Sequence, residues 1–140
     1  MSSARSPRPL LREFHRPATW LAGWCALFLL IAVGSLLPAG ELPTVSNGFD
    51  KVEHFLGYAL LSAYAVMLFA RMRPQALAAL GVIVFGIAIE VAQSAWTVDR
   101  LGDSADAMAN ALGALAGLGI SVTPMARWLQ RLDARLQARA

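Results

Sequence analysis

Four stretches of this chain carry no formal charge, and they constrain its fold more than any motif does. No Asp, Glu, Lys or Arg lies between Arg16 and Glu41, Glu53 and Arg71, Arg73 and Glu90, or Asp106 and Arg127. A helix that crosses about 30 Å of hydrocarbon needs about 20 mainly apolar residues, and the gaps approach or exceed that length. "WLAGWCALFLLIAVGSLL", from Trp20 to Leu37, has no polar face with which a helix of a soluble bundle would meet water. Hydrophobic residues make up 57% of the chain against 15% charged, and the mean hydropathy is +0.54, which disfavours an ordinary soluble domain. The expected fold is all-α: a polytopic membrane protein with four transmembrane helices, near 18–37, 55–70, 76–96 and 105–122, plus a C-terminal amphipathic helix.

Three parts follow. Residues 1–17 form a basic N-terminal arm, expected to be disordered, in which His15 has no evident partner. Residues 18–122 form the four-helix membrane domain, and residues 123–140 an amphipathic cytoplasmic helix. The first apolar run exceeds the roughly 7–15 residues of a signal-peptide core, so it reads as an uncleaved first helix. Cys25 is the only cysteine, cannot form an internal disulfide, and is expected to serve packing. In the tail, Thr123 and Pro124 suit an N-cap and first helical position. Met125, Leu129, Leu132 and Leu136 recur at helical spacing, and Arg127, Arg131, Arg135 and Arg139 repeat every four residues. Such a helix suits an anionic inner leaflet; a partner-binding helix is the alternative.

Charge sets the orientation. Ten of the twelve basic residues precede helix one, join helices two and three, or follow helix four; only Lys51 and Arg100 fall on the other side. The positive-inside rule makes the basic side cytoplasmic, with both termini in, and the bacterial inner membrane the expected location.

This topology collects polar residues at the outer ends of helices two, three and four. Asp50, His54 and Tyr58 follow one another at i, i+4, i+8; Glu90 and Gln93 share a face; Asp103, Asp106 and Asn110 are spaced i, i+3, i+7; and Arg100 lies in the turn before them. A charge at the centre of a span costs on the order of 2.5–3.5 kcal/mol on insertion scales, so Glu90 must face protein or water and is a functional candidate. Its nearest partners are expected to be Arg100, Lys51 and His54. Gly113 and Gly117 form a small-xxx-small pattern that packs helix four against helix two or three, or supplies a homo-oligomer face.

Together these residues resemble the VanZ-like family, small polytopic membrane proteins named for a factor associated with teicoplanin resistance. "DKVEHFLGYALL" is similar to its D-K-x-x-H element through Asp50, Lys51 and His54, and "IEVAQ" to its E-x-x-Q element through Glu90 and Gln93. "DRLGDSADAMANALGALAG" is similar to its closing element through Arg100, Asp106, Asn110, Gly113 and Gly117. The stretch "SAWTVD" lacks the aromatic-proline character of the family at that place, and helix one carries no motif. The resemblance implies a setting in the cell envelope and a link to glycopeptide tolerance, but no reaction.

The ligand-binding set expected from these residues is Asp50, Lys51, His54, Glu90, Gln93, Arg100, Asp106 and Asn110. Arg100 and Lys51 suit phosphate recognition, but acids outnumber them, so an envelope lipid or peptidoglycan precursor carrying both amine and anionic groups fits best. A second reading is a membrane-embedded enzyme in which Glu90 and His54 act as acid or base, His54 being oriented by Asp50. A third is a scaffold without a ligand. Transport is disfavoured because the inner halves of helices two to four offer no charged path. No cofactor, resident metal or nucleic-acid partner follows from the sequence; carboxylates with one imidazole are able to hold a divalent cation without predicting one.

Overall fold

The computed structural model describes residues 9–37, 49–96 and 103–139. Its α-helices are α1 (Pro17–Leu36), α2 (Phe49–Leu68), α3 (Met72–Trp96), α4 (Ser104–Gly119) and α5 (Trp128–Gln137), with 3-10 turns at Ile120–Val122 and Pro124–Arg127 joining the last two. Three segments are long and apolar enough to cross a membrane: α1, α3, and α4 with the turn that follows it. α2 has 20 residues but carries Asp50, Lys51, Glu53 and His54 in its first turns, which makes it the less apolar helix. It begins before the charge-free run does, so His54 lies on the helix and not in a loop ahead of it.

α2 is the centre of the bundle. It buries Tyr58, Leu61, Ser62, Ala65, Val66, Met67 and Leu68, whereas α1, apolar all round, buries none of its residues. The reason lies in α4. The missing side chains of Gly113 and Gly117 let the α4 backbone approach Phe55 and Ala59 of α2; a Cβ on Gly117 would also meet Ser62 Cβ and Ala63 N at 2.8 Å. Small residues at this spacing are what close helix packing in lipid requires. The glycine face that the sequence offered to a second copy is therefore filled by α2 of the same chain.

Aromatic contacts attach α1. Trp24 meets Phe28 edge-on at 5.0 Å, Phe28 meets Phe85 of α3 at 5.0 Å, and Phe85 meets Tyr58 of α2 at 6.0 Å. Such pairs add about 0.5–1.5 kcal/mol each beyond their buried area. Two hydrogen bonds reinforce them, from Trp24 Nε1 to the Leu61 carbonyl at 2.9 Å and from the Tyr64 hydroxyl to the Trp20 carbonyl at 3.0 Å. Cys25 points outward and is exposed, contrary to the packing role expected of it.

The bundle is apolar outside and partly polar inside. Leu29, Leu30, Leu80, Val84, Ile87, Leu112 and Leu115 are exposed, while Ser62, Gln75, Glu90, Gln93 and Asn110 are buried. Water would oppose that arrangement, and lipid favours it.

At the α2–α3 turn the N-terminal segment is ordered, which corrects the expectation of a disordered arm over its described part. Arg12 N donates to the Leu68 carbonyl at 2.8 Å and Ala70 N to the Leu10 carbonyl at 3.0 Å, forming a short antiparallel bridge between Leu11 and Phe69. α5 packs on the same end through Leu129, which joins Met67, Leu68, Leu11, Phe14 and Trp20 in a small core. The expected apolar stripe of the tail therefore splits: Leu129 is buried against the bundle, while Met125 and Leu136 are exposed. Thr123 Oγ1 caps the 3-10 turn by accepting from Met125 N at 3.3 Å, so the α-helix proper starts at Trp128, later than expected.

Candidate functional site

Because α2, α3 and α4 alternate in direction, the start of α2, the end of α3 and the start of α4 share one end of the bundle. Two helix N-termini there give a positive partial charge, which favours carboxylates in their first turns. Asp50 occupies the first turn of α2 and Asp106 that of α4. Asp103 caps α4 by accepting from Ala105 N at 2.8 Å. That backbone donor, and then the Lys51 ammonium, hold the Asp103 carboxyl below its usual range.

Lys51 reaches Asp106 Oδ1 at 2.9 Å and Asp103 Oδ2 at 3.0 Å, with Asp50 Oδ2 at 3.7 Å. One turn further along α2, His54 Nδ1 lies 3.1 Å from Asn110 Oδ1, and His54 Nε2 lies 3.8 Å from Asp106 Oδ2. Glu90 is 7% exposed. Its Oε2 accepts from Asp103 N at 3.1 Å, and its Oε1 lies 3.4 Å from Asn110 Nδ2, a long contact. Asn110 thus bridges the imidazole of α2 and the carboxylate of α3 from a position on α4.

Lys51, His54, Glu90, Asp106 and Asn110, all expected site residues, converge. Three others differ. Asp50 sits at the exposed rim with Lys51 as its ion-pair partner, and it is Asn110 that bonds the His54 ring nitrogen the sequence reading gave to Asp50. Gln93 is buried, but its amide nitrogen donates to the Ser35 carbonyl at 2.8 Å and ties α3 to the last turn of α1. Arg100 lies outside the described residues. Ser94, a conceivable nucleophile by proximity, donates its hydroxyl to the Glu90 carbonyl at 3.0 Å along its own helix.

Tyr58, one turn below His54, has its hydroxyl buried without a hydrogen-bond partner among the described residues. Its ring lies beside Asn110 over Gly86, where an added Cβ would meet Tyr58 Cε1 at 2.8 Å and Asn110 Nδ2 at 3.2 Å. Only the absence of a side chain at residue 86 lets α3 approach both. His54, Glu90 and Asp106 offer ligand atoms within 4.8 Å of one another, the one set of three metal-capable groups among the described residues.

The opposite end holds two features that were not read from the sequence. Asp133, 3% exposed, accepts from His15 N at 2.6 Å and from Trp20 Nε1 at 2.8 Å, with His15 Nδ1 at 3.0 Å. Burial opposes its charge, yet these donors prevail and hold the carboxyl below its ordinary range. The signal was present: Asp133 follows Leu129 by four residues on the buried side of an arginine-rich helix. The second feature is an open cavity of about 540 Å³ lined by Arg12, Gln75, Thr123, Arg127 and Arg131 among others. Burial and the neighbouring Arg127 push the Arg12 guanidinium below its usual value. This cavity is basic and lies at the other end of the bundle from the His54–Glu90–Asp106 cluster, which has the convergent chemistry.

No protein-family model, curated protein or solved structure matches this chain. The VanZ-like resemblance consequently rests on its three motifs.

Proposed function

We propose that this is a VanZ-like protein of the bacterial inner membrane, with four spans and both termini cytoplasmic, that binds a cell-envelope lipid or peptidoglycan-related component at the polar cluster on its outer end. The observation that carries the reading is Glu90: a carboxylate buried in an apolar helix, met by Asp103 N and Asn110 Nδ2 from α4, with the His54 imidazole of α2 within 4.8 Å. Polar contacts between membrane helices average only about 0.6 kcal/mol in one measured system, a small return for placing an acid there if packing were its sole purpose.

Two arguments support the fourth span. α2 packs on α1, α3 and α4, and its charged residues are confined to its first turns at the polar end, so the rest of the helix is apolar where lipid would meet it, as at Leu56 and Leu60. The basic N-terminal segment, the α2–α3 turn and α5 also meet at one end, as the positive-inside rule requires of a cytoplasmic face.

Lys51 is already shared among Asp50, Asp103 and Asp106, so it is a poor free phosphate site. Acceptors predominate, and a ligand fits if it brings positive charge, as its own amine or as a bound cation. Native mass spectrometry of the wild-type and Glu90→Gln proteins tests the reading. A retained envelope lipid or precursor in the wild type, lost in the folded variant, is the expected result; retention by neither, or equally by both, counts against it. Labelling of single cysteines at positions 50 and 135, in a Cys25→Ser background, should place the two on opposite sides of the membrane.

A further inference from the structure

We propose that His54, Glu90 and Asp106 bind a first-row divalent metal ion of the Zn²⁺ or Mn²⁺ kind. The inference stands apart from the identity of any envelope ligand, because the ion is held by the chain's own side chains.

The donors come first. Their ligand atoms lie within 4.8 Å of one another, and His54 Nε2 is 3.8 Å from Asp106 Oδ2. Around a tetrahedral ion with bonds of about 2.1 Å, ligand atoms stand about 3.4 Å apart, so small side-chain rotations close the site. An imidazole with two carboxylates favours zinc or manganese over magnesium or calcium, which prefer all-oxygen shells.

Each ligand is also aimed. His54 Nδ1 faces Asn110 Oδ1, an acceptor, so Nδ1 carries the proton and Nε2 presents its lone pair to the site. The amide of Asn110 is oriented by its other contact, from Nδ2 to Glu90. Lys51 takes Asp106 Oδ1, leaving Oδ2 toward His54. The backbone N–H of Asp103 takes Glu90 Oε2. Outer partners of this sort fix the tautomer and direction of metal ligands.

What remains in the middle is a set of acceptors facing one another: an imidazole lone pair and two carboxylates. Lys51 does not relieve it, being turned to the far oxygen of Asp106 and to Asp103. Tyr58 supplies the independent observation. It is 1% exposed, its hydroxyl is without a partner among the described residues, and it lies one turn below His54 with its ring beside Asn110. A buried hydroxyl left unpaired is costly, and a water carried by an ion with three protein ligands would provide the missing partner.

The test uses the full chain in detergent, stripped with chelator and titrated with Zn²⁺ or Mn²⁺ alone, with metal content measured after gel filtration and Co²⁺ absorption reporting the coordination. One equivalent per wild-type chain is expected, with affinity reduced at least tenfold, by the scale of lost ligand contacts, in His54→Ala and Glu90→Gln. Glu53→Gln, which removes an exposed acid from the same end, should leave the affinity unchanged. If His54→Ala does not fold, the nearly isosteric Glu90→Gln carries the test. No bound metal in a folded wild type overturns the proposal. So does stoichiometric binding that Glu90→Gln leaves intact, or a loss in Glu53→Gln as large as in Glu90→Gln, which would reduce the effect to diffuse attraction by acids.

Discussion

Among the described residues each end of the bundle buries one carboxylate, and the two are served differently. Asp133 lies among a backbone N–H, an indole N–H and an imidazole at 2.6–3.0 Å. Glu90 has donors at 3.1 and 3.4 Å and faces a second carboxylate and an imidazole lone pair. A carboxylate saturated with short donors fixes structure; one left short of donors among other acceptors is poised for a cation, a proton or a ligand. The difference separates a staple from a site, although in the sequence each is simply a lone acid within a helix.

Removing Asp133 should have the largest effect. Asp133→Ala leaves the half-buried Trp20 indole and the His15 amide without their acceptor, a loss of two charge-assisted hydrogen bonds that tie three segments together. α5 and the N-terminal segment should come loose together, read as a lower melting temperature in detergent and as faster hydrogen exchange confined to residues 9–16 and 128–137. Acid should do the same reversibly. Its folded-state carboxyl sits below the ordinary Asp range, so Asp133 contributes stability that is present above the unfolded-state value of about 3.9 and is lost as pH falls through the lower folded value. Exchange at α5 should rise over that acid window in the wild type and be insensitive to it in Asp133→Ala.

Gly113→Ala comes next. The added Cβ would run into the Phe55 carbonyl, a backbone atom that cannot rotate away, and overpacking of this sort costs about 1–3 kcal/mol. It should separate α2 from α4 and scatter the cluster without removing any of its polar groups. If metal or ligand binding survived this substitution, convergence of the three helices would not be what makes the site.

Much of this was legible in the sequence, and the part that was not has a physical reason. Charge-free gaps located α1, α3 and α4, because lipid imposes length and hydropathy on each span independently. The same logic began α2 too late: its first turns, with Asp50, Lys51 and Glu53, lie at the polar rim of the bundle, where charge is tolerated on a helix. Periodicity brought Lys51, His54, Glu90, Asp106 and Asn110 to one end, since helices that alternate in direction leave no other arrangement. It did not show that Asn110, and not Asp50, meets the His54 ring, nor that the Gln93 amide donates to α1, because those choices depend on how the helices are rotated. The Asp133–His15 contact spans 118 positions and joins two segments whose arginines suggested only solvent or membrane surface.

Glu90→Gln should change stability by less than about 1 kcal/mol, since the shape and the Asp103 contact are kept while an ionisable group leaves an apolar helix. Thermal unfolding in detergent measures it. A loss as large as that of Asp133→Ala would make Glu90 a second staple and erase the contrast between the two ends.

The smallest effect is expected of Lys51→Ala. Its side chain is 41% exposed, and exposed ion pairs contribute little because solvent screens them and the long side chain must be ordered. Stability should therefore be nearly unchanged. The acids it serves would not be: Asp103 and Asp106 lose their nearest cation, and the surplus of acceptors at this end grows. Lys51 both orients Asp106 and repels an incoming cation, so if the end is built for positive charge, Lys51→Ala should hold cations more tightly than Glu90→Gln does, with a steeper dependence on salt than the wild type. A fall in both stability and cation affinity would mean that Lys51 itself neutralises the cluster, and that Glu90, like Asp133, has its needs met from within the fold.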